Sequence, residues 1–277
     1  MRRRRVYVVL ALVGALVFGI AAYAFWRPGA FHTPARLADP AGAKAAGDDL
    51  LASQGKTFLV FVAHPDDAEW WAGGTLGMLS QHNAVILVLG TSGDAGNGGL
   101  QSDLGQIREA LQERAAKVLG YTDVVFLRHP DGHLAEAKQY PGEVGDIIAR
   151  YAPDGIVTFD TEKEGPVYHH VDHEAAGRTA LAAARETGGR TLYFIHTSAP
   201  DVLVDFAPMA AKKTEALMIV WGYHDTGPFG WFGRLTAGLT RRAGDSISRS
   251  PFPEVGVDYG ELMRRETTPG APGGPGA

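Results

Sequence analysis

The sequence contains no cysteine among its 277 residues, and this absence excludes several classes of function. A disulfide framework, a cysteine nucleophile and a thiolate metal site are all ruled out. Any bound metal must therefore be held by histidine, aspartate and glutamate, a donor set that suits zinc and similar divalent ions. The lack of cysteine is compatible with an oxidising compartment but does not identify one.

Basic charge is scarce outside the N-terminus. The chain has 26 lysines and arginines against 31 aspartates and glutamates, which gives a net charge of −5. Four arginines stand together at residues 2–5, and without them 22 basic residues face 31 acidic ones, a balance of −9. Nucleic-acid binding needs clustered lysine and arginine. We therefore expect no nucleic-acid partner, and the sequence does not predict an oligomeric state.

The first 26 residues have the pattern of a membrane-targeting segment. After the arginines, Val6 to Trp26 form an uncharged, mostly apolar run. At a rise of about 1.5 Å per residue, a helix of this length spans the hydrocarbon core of a bilayer. We expect a transmembrane anchor with the arginines in the cytoplasm. The alternative is a signal peptide cleaved after Ala24, and both interpretations put the remaining chain outside the cytoplasm.

The remaining chain divides into three parts by composition. Residues 27–55 are rich in alanine, glycine and proline and predict a tether with at most one short helix, and residues 267–277 have the composition of a disordered tail. Between them, residues 56–266 alternate short apolar runs with helical patterns. The predicted strands are 57–63, 84–91, 123–127, 155–159 and 191–197, and the predicted helices 74–82, 102–119, 142–150 and 172–186.

This alternation predicts the fold class. The strands are apolar on nearly every residue, as strands covered on both faces are. Strand and helix in repeated alternation imply a Rossmann-like, doubly wound, mostly parallel α/β sheet with helices on both faces. Ligands bind such sheets at the carboxyl ends of the strands. Four polar clusters fall there, namely "HPDD", "SGDAGNGG", "RHPDGH" and "DTEKEGPVYHHVDH".

Two of these clusters have the composition of a metal site. His64, Asp66 and Asp67 lie within four residues, and "HHVDH" at 169–173 adds three histidines and an aspartate. Two histidines and a carboxylate with an open position form a known arrangement for hydrolytic zinc. The alternatives are that an aspartate of the first cluster merely caps the next helix and that the second cluster is a solvated loop.

The order of these motifs resembles a known family. "AHPDDAE", "GGTL", "TSGDAG", "PDG", "PDGIVTF" and "HVDH" follow one another between about residues 57 and 200. Together they resemble the PIG-L/LmbE-like family of zinc-dependent N-acetylglucosaminyl deacetylases. The resemblance implies one Zn²⁺ per chain and hydrolysis of a linear amide bond in an N-acetylated sugar or glycoconjugate.

The resemblance also implies residue roles by position. The zinc ligands fall on His64, Asp67 and His173. Asp66 matches the general base, and His170 the histidine that stabilises the tetrahedral intermediate or protonates the leaving amine. The remaining matches are a carbonyl-polarising tyrosine, an aspartate that orients a histidine, and two sugar contacts, which fall on Tyr168, Asp172, Arg108 and Asp131.

The chain departs from the family pattern in places. Trp70 and Trp71 stand where members usually have small or aliphatic residues, and they fit either sugar stacking or core packing. Leu111 stands where many members have glutamate. Residues 221–245 have no match; they fit a lid, a membrane-facing loop or a core-filling segment. The competing functions are a carbohydrate-binding protein without turnover and another metal-dependent hydrolase.

Overall fold

The computed structural model describes residues 37–96, 98, 100–165, 169–222, 238, 241, 242, 244, 245, 248–250 and 252–269. The elements in chain order are α1 (Pro40–Leu51), β1 (Thr57–Val62), α2 (Asp67–Leu79), β2 (Ala84–Thr91), α3 (Leu104–Leu119), β3 (Asp123–His129), α4 (Tyr140–Tyr151), β4 (Gly155–Phe159), α5 (Val171–Thr187), β5 (Thr191–Ile195), β6 (Val202–Asp205), α6 (Ala210–Val220) and β7 (Gly260–Thr267). Short 3₁₀ helices lie at Leu134–Glu136, Ala207–Met209 and Pro253–Val255.

The seven strands form one sheet in the order β3-β2-β1-β4-β5-β7-β6. The first five are parallel, while β7 runs antiparallel to both β5 and β6. The central strands are buried on both faces, and Leu59 to Val62 of β1 have no exposed surface. The order of the strands changes direction at β1, which has β2 on one side and β4 on the other. Such a switch point creates the crevice in which sheets of this kind bind ligands.

The helices pack in two groups, as expected for a sheet covered on both faces. α3 contacts α6 and α2, while α4 contacts α5. The main core therefore lies between these groups and the sheet, and a second cluster of apolar side chains fills the space between α3 and α6. The predicted doubly wound, mostly parallel architecture is confirmed.

The predicted bounds of the central elements are close to those observed, with one instructive difference. The strands 84–91 and 155–159 match β2 and β4 residue for residue. The helix predicted over residues 74–82 instead spans Asp67–Leu79. The "GG" pair, Gly73 and Gly74, does not precede the helix but is buried inside it. Gly74 there lies against the ring of Phe206, so close that a Cβ atom would clash.

The structure describes parts of the predicted tether and of the predicted tail as regular elements. Part of the predicted tether is α1, which packs on β6, and Thr267, the first residue of the predicted tail, closes β7. The anchor or signal prediction for residues 1–26 and most of the tail lie outside the described residues. Within the described part of the chain, no helix is both long and apolar enough to cross a membrane.

Candidate active site

Two adjacent aspartates stand where β1 turns into α2. Asp67 is the first residue of α2, and its Oδ2 accepts hydrogen bonds from the backbone N–H groups of Ala63 (3.2 Å) and His64 (2.8 Å). Asp66 occupies the position before the helix but makes no side-chain capping bond. The Asp67 carboxylate thus binds the strand end rather than the helix, and the capping alternative is wrong for both aspartates.

The second motif opens α5. His170 precedes the helix, and its Nδ1 accepts a hydrogen bond from the N–H of Asp172 (3.2 Å). The ring of His173 stacks on Phe159 of β4, with centroids 4.0 Å apart and planes 7° apart. The ring of His64 lies 4.6 Å from that of His170 and 5.3 Å from that of His173. The fold therefore brings both motifs to one point.

Two sets of three donor atoms converge among the described residues. In each set the atoms lie within 4.8 Å of one another; the sets are His64, His170 and His173, and His64, Asp131 and Asp172. Asp67 lies between the two predicted histidine ligands, with Oδ1 3.1 Å from Nε2 of His173 and Oδ2 3.5 Å from Nδ1 of His64. Imidazole and carboxylate donors in a buried cluster are the chemistry that zinc takes up, so the residues fit a divalent metal.

Asp131 and Asp172 approach the same nitrogen of His64. Asp131 Oδ1 lies 3.0 Å and Asp172 Oδ2 3.4 Å from Nε2 of His64. Asp172 is itself held by the N–H groups of Gly132 and Leu134, at 2.7 and 3.0 Å. Asp172 thus contacts a histidine, in keeping with its predicted orienting role. Asp131, predicted to contact a sugar, has only 9% of its side chain exposed and borders the donor atoms directly.

The charges in this cluster shift the pKa values of its members in opposite directions. Burial alone would lower the pKa of His64, but its contacts with Asp131, Asp172 and Asp67 raise it well above its ordinary value. Burial alone would raise the pKa of Asp67, yet the neighbouring His173 and His64 hold it well below its usual range. The carboxylates around His64 therefore favour its protonated form, and a bound cation would have to displace that proton.

Asp66 faces a different environment from Asp67. Its Oδ2 lies 3.2 Å from Nη2 of Arg108, and 23% of its side chain is exposed. Burial and the adjacent Asp67 raise its pKa, Arg108 opposes them, and the result is a pKa of about 6. Arg108 is buried and also donates to the carbonyl oxygens of Pro65 and Gly93 (3.0 Å to the latter). Arg108, the predicted sugar contact, is thus more deeply buried than Asp66, the predicted base, and pairs with it.

Two buried side chains, those of Gln112 and Glu69, lie beside Asp66. Gln112 of α3 accepts a hydrogen bond from the N–H of Asp66 (3.1 Å) and donates one to Oε1 of Glu69 (2.9 Å). Neither side chain has exposed surface, and burial raises the pKa of Glu69 to about 7. Glu69 stands two residues after the "HPDD" motif, which marks it in the sequence, whereas Gln112 lies in a helical stretch with no motif and was not predicted.

The other predictions around the site have mixed outcomes. Trp71 is half-buried, packs partly against the main core and lies 4.6 Å from the ring of His196. Trp70 neighbours Trp221 at 5.1 Å between centroids, and both interpretations of the tryptophans remain predictions. His169 is exposed and pairs with Glu164. Tyr168 and most of residues 221–245 lie outside the described residues.

Comparison with known proteins identifies the family whose sequence pattern contains this site. Residues 59–184 match the family model described as PIG-L: GlcNAc-PI de-N-acetylase. The chain carries a PIG-L domain. The matched span runs from β1 through most of α5 and contains both motifs of the site, so the family resemblance predicted from the sequence is confirmed.

Solved structures share the fold of the PIG-L domain. The N,N'-diacetylchitobiose deacetylase from Pyrococcus horikoshii superposes with a TM-score of 0.64 at 22% identity, over 80% of this chain and 90% of that one. The 4-carboxy-2-hydroxymuconate hydratase GalB from Pseudomonas putida gives 0.62 at 18%, over 76% and 95%. A conserved protein from Thermus thermophilus gives 0.60 at 24%, over 76% and 94%.

These identities establish a common fold and leave the chemistry to the site, because one fold hosts more than one reaction. A hydratase stands beside a deacetylase among the neighbours. The family match decides the class: the PIG-L domain makes this chain an amide-hydrolysing deacetylase.

Proposed function

We propose that the protein is a zinc-dependent deacetylase that removes an acetyl group from an N-acetylated amino sugar of the N-acetylglucosamine type. The observation that carries the proposal is the pairing of Asp66 with Asp67. One carboxylate sits among buried histidines, while its sequence neighbour stays partly exposed at the same point. Metal-dependent amide hydrolysis needs two such groups side by side: one that binds the metal, and one that does not bind it and accepts a proton from water.

His64, Asp67 and His173 are the residues that would hold the metal. Asp131 and Asp172 border His64 and would fix its ring and compensate the charge of the cation. When bound in such a site, zinc polarises the amide carbonyl and lowers the pKa of a water to about 7.

Asp66 is the general base in this proposal. Its pKa of about 6 leaves most of the carboxylate ionised at neutral pH, yet close enough to neutrality to hold the proton it accepts from water. The guanidinium of Arg108, 3.2 Å away, keeps the pKa from rising further. The base is therefore available at the pH at which the reaction must run.

His170 supplies a hydrogen-bond donor beside the proposed metal site. Burial and the neighbouring His64 and His173 lower its pKa, which favours the neutral form of its ring. Its Nδ1 accepts the N–H of Asp172, which leaves Nε2 as the protonated nitrogen. A neutral imidazole N–H stabilises a developing oxyanion by hydrogen bonding. The proton for the departing amine is then the one that Asp66 has taken from water. Tyr168 is proposed to assist at the carbonyl.

The substrate class rests on the family description and on one neighbour that is a chitobiose deacetylase. Arg108 and Asp131 are the proposed sugar contacts. Because both are largely buried, we expect them to touch only the reacting sugar and not the group attached to it. A carbohydrate-binding protein without turnover is the alternative, and it gives Asp66 no reason to stand beside a metal ligand.

Assay of acetate release tests the function. Purified full-length protein is incubated with a panel of N-acetylated sugars and cell-envelope glycoconjugates, with and without zinc, and acetate is quantified. We expect zinc-dependent release from at least one N-acetylglucosamine-type substrate. Binding of the same sugars without acetate release would support the alternative.

We further propose that the domain works outside the cytoplasm, held by the segment at residues 6–26. The support is the sequence itself, four arginines followed by an apolar run of bilayer length. Alkaline carbonate extraction of membranes and protease protection in spheroplasts test this. We expect the full-length chain in the extracted pellet, and recovery of intact chain in the cytosolic fraction would contradict the proposal.

A further inference from the structure

Asp66 has an unusual backbone conformation. Its φ is +111°, in the region that residues with a side chain rarely adopt. Such a conformation persists only where the surroundings fix it, and it concentrates at functional sites. The groups that hold Asp66 in place therefore also decide where its carboxylate points.

Three contacts hold this backbone. The N–H of Asp66 donates to Oε1 of Gln112 at 3.1 Å, and its carbonyl oxygen accepts from the N–H of Trp70 at 2.9 Å. Arg108 donates to the carbonyl oxygen of Pro65, one residue before. Arg108 and Gln112 lie one helical turn apart on α3. Both therefore hold the segment between β1 and α2 from the same helix.

Gln112 needs a partner to present the correct atom. A glutamine amide offers an oxygen on one side and an NH₂ on the other, and only the oxygen can accept from the N–H of Asp66. Oε1 of Glu69 accepts from Nε2 of Gln112 at 2.9 Å, which turns the amide oxygen toward Asp66. Both side chains are fully buried, so loss of either leaves polar groups without solvent to replace the bond.

We propose that Gln112, oriented by Glu69, is a positioning residue for Asp66. It holds the N–H of Asp66 and thereby aims the carboxylate at the reacting water. This inference rests on the proposed function of Asp66 as general base.

Kinetics of four variants test the proposal. We expect Gln112→Leu to lower kcat by about 10- to 100-fold with KM and zinc content near the wild-type values, since small displacements of a catalytic group cost rates of this order. Glu69→Leu should reproduce that loss, and the double variant should lose no more than either single one. Glu69→Gln keeps an acceptor oxygen and should recover most of the activity.

Amide hydrogen exchange gives a readout that does not depend on turnover. In ¹H–¹⁵N spectra the amide of Asp66 should exchange slowly in the wild type and in Glu69→Gln, and faster in Gln112→Leu and Glu69→Leu. A matched control is Leu119→Ala, buried at the far end of α3 against the cluster with Phe206. It should lower the thermal midpoint without changing kcat or the exchange of Asp66.

The outcomes separate the two claims. If Asp66→Asn is inactive while Gln112→Leu keeps wild-type kcat and Asp66 protection, the positioning role is wrong and the base survives. If Asp66→Asn is fully active, the proposed base is wrong, and exchange at Asp66 alone decides whether Gln112 holds the turn. A fall in thermal midpoint with unchanged kcat in Gln112→Leu would show a purely structural role and overturn the proposal.

Discussion

Oδ1 of Asp67 lies 3.1 Å from Nε2 of His173, although more than one hundred residues separate them in the sequence. Asp67 begins α2 beside β1, and His173 lies in the first turn of α5 beside β4. Because β1 and β4 are parallel neighbours, their carboxyl ends meet and the two helix starts face each other. The contact joins the two halves of the site.

Loss of a predicted ligand should remove the metal. His173→Ala deletes an imidazole that the proposed site needs, so we expect zinc content to fall from about one per chain to a small fraction of that. Inductively coupled plasma mass spectrometry of dialysed protein measures it. His82→Ala, on the exposed turn after α2, is the matched control and should retain zinc. Wild-type zinc content in His173→Ala would exclude that histidine as a ligand.

Chelation should lower stability as well as activity. A metal at 100 times its dissociation constant stabilises the folded state by about 2.7 kcal/mol, and such a change shifts the thermal midpoint of a domain this size by roughly 5–10 °C. We expect EDTA to cause a downward shift of that order and zinc to reverse it, as measured by calorimetry. An unchanged midpoint would mean that the cluster around His64 binds no metal tightly.

The ion pair of Asp160 with Arg264 predicts a pH dependence of stability. Oδ2 of Asp160 lies 2.7 Å from Nε of Arg264, and the Asp160 side chain is buried. Burial opposes ionisation, but the bonds from Arg264 and from backbone N–H groups outweigh it and lower the pKa of Asp160. A lowered pKa in the folded state gives stability that is complete above the unfolded pKa of about 4 and is lost as pH falls through the folded pKa.

Urea unfolding at pH 7 and pH 3.5 measures this contribution. Asp160→Asn should destabilise the protein by roughly 1–3 kcal/mol at pH 7, because it removes the buried partner of Arg264 and leaves that guanidinium only the more exposed Glu266 and Glu162. The difference from wild type should shrink at pH 3.5, because Asp160 of the unfolded wild-type chain then takes up a proton while the folded carboxylate stays ionised. A difference that is the same at both pH values would show that folding does not lower the pKa of Asp160.

A second buried pair supports the helix that carries Asp67. Nζ of Lys213 donates to Oε1 of Glu261 (2.6 Å) and to the carbonyl oxygen of Trp70 (3.2 Å). Glu261 accepts from the N–H groups of Gly74 and Thr75. Lys213→Met leaves this carboxylate uncompensated and should cost roughly 3–5 kcal/mol in unfolding free energy. Lys212→Met, at the exposed neighbouring position, should cost little; equal effects would contradict the role of the pair.

Much of the fold was predictable because it depends on local pattern. Continuous apolar runs located the five parallel strands, and alternation with helices implied their topology. The antiparallel strands β6 and β7 were not predicted, since "VLVD" is short and the second half of β7 carries three consecutive charged residues, Arg264, Arg265 and Glu266. Nothing in either segment signals which strand it joins, because pairing there is set by tertiary packing.

The site was predictable where chemistry marks the sequence and not where packing does. His64, Asp67 and His173 stood out because histidine and aspartate at strand ends are unusual, and the fold brings them together. The proximity of Asp131 to His64 depends on the loop after β3 and was not foreseen as a ligand geometry. Gln112 acts through a contact from α3 to the turn between β1 and α2, far away in the sequence, which no spacing in its own segment reveals.

The most direct test of the account is Asp66→Asn, assayed together for turnover and metal. Asparagine keeps the size of the side chain but cannot take a proton from water, so kcat for acetate release should fall by about 10²- to 10⁴-fold. Zinc content should stay at about one per chain, because the metal belongs to His64, Asp67 and His173. Near-wild-type turnover in this variant, or loss of its zinc, would contradict the assignment of one aspartate to the metal and its neighbour to the water.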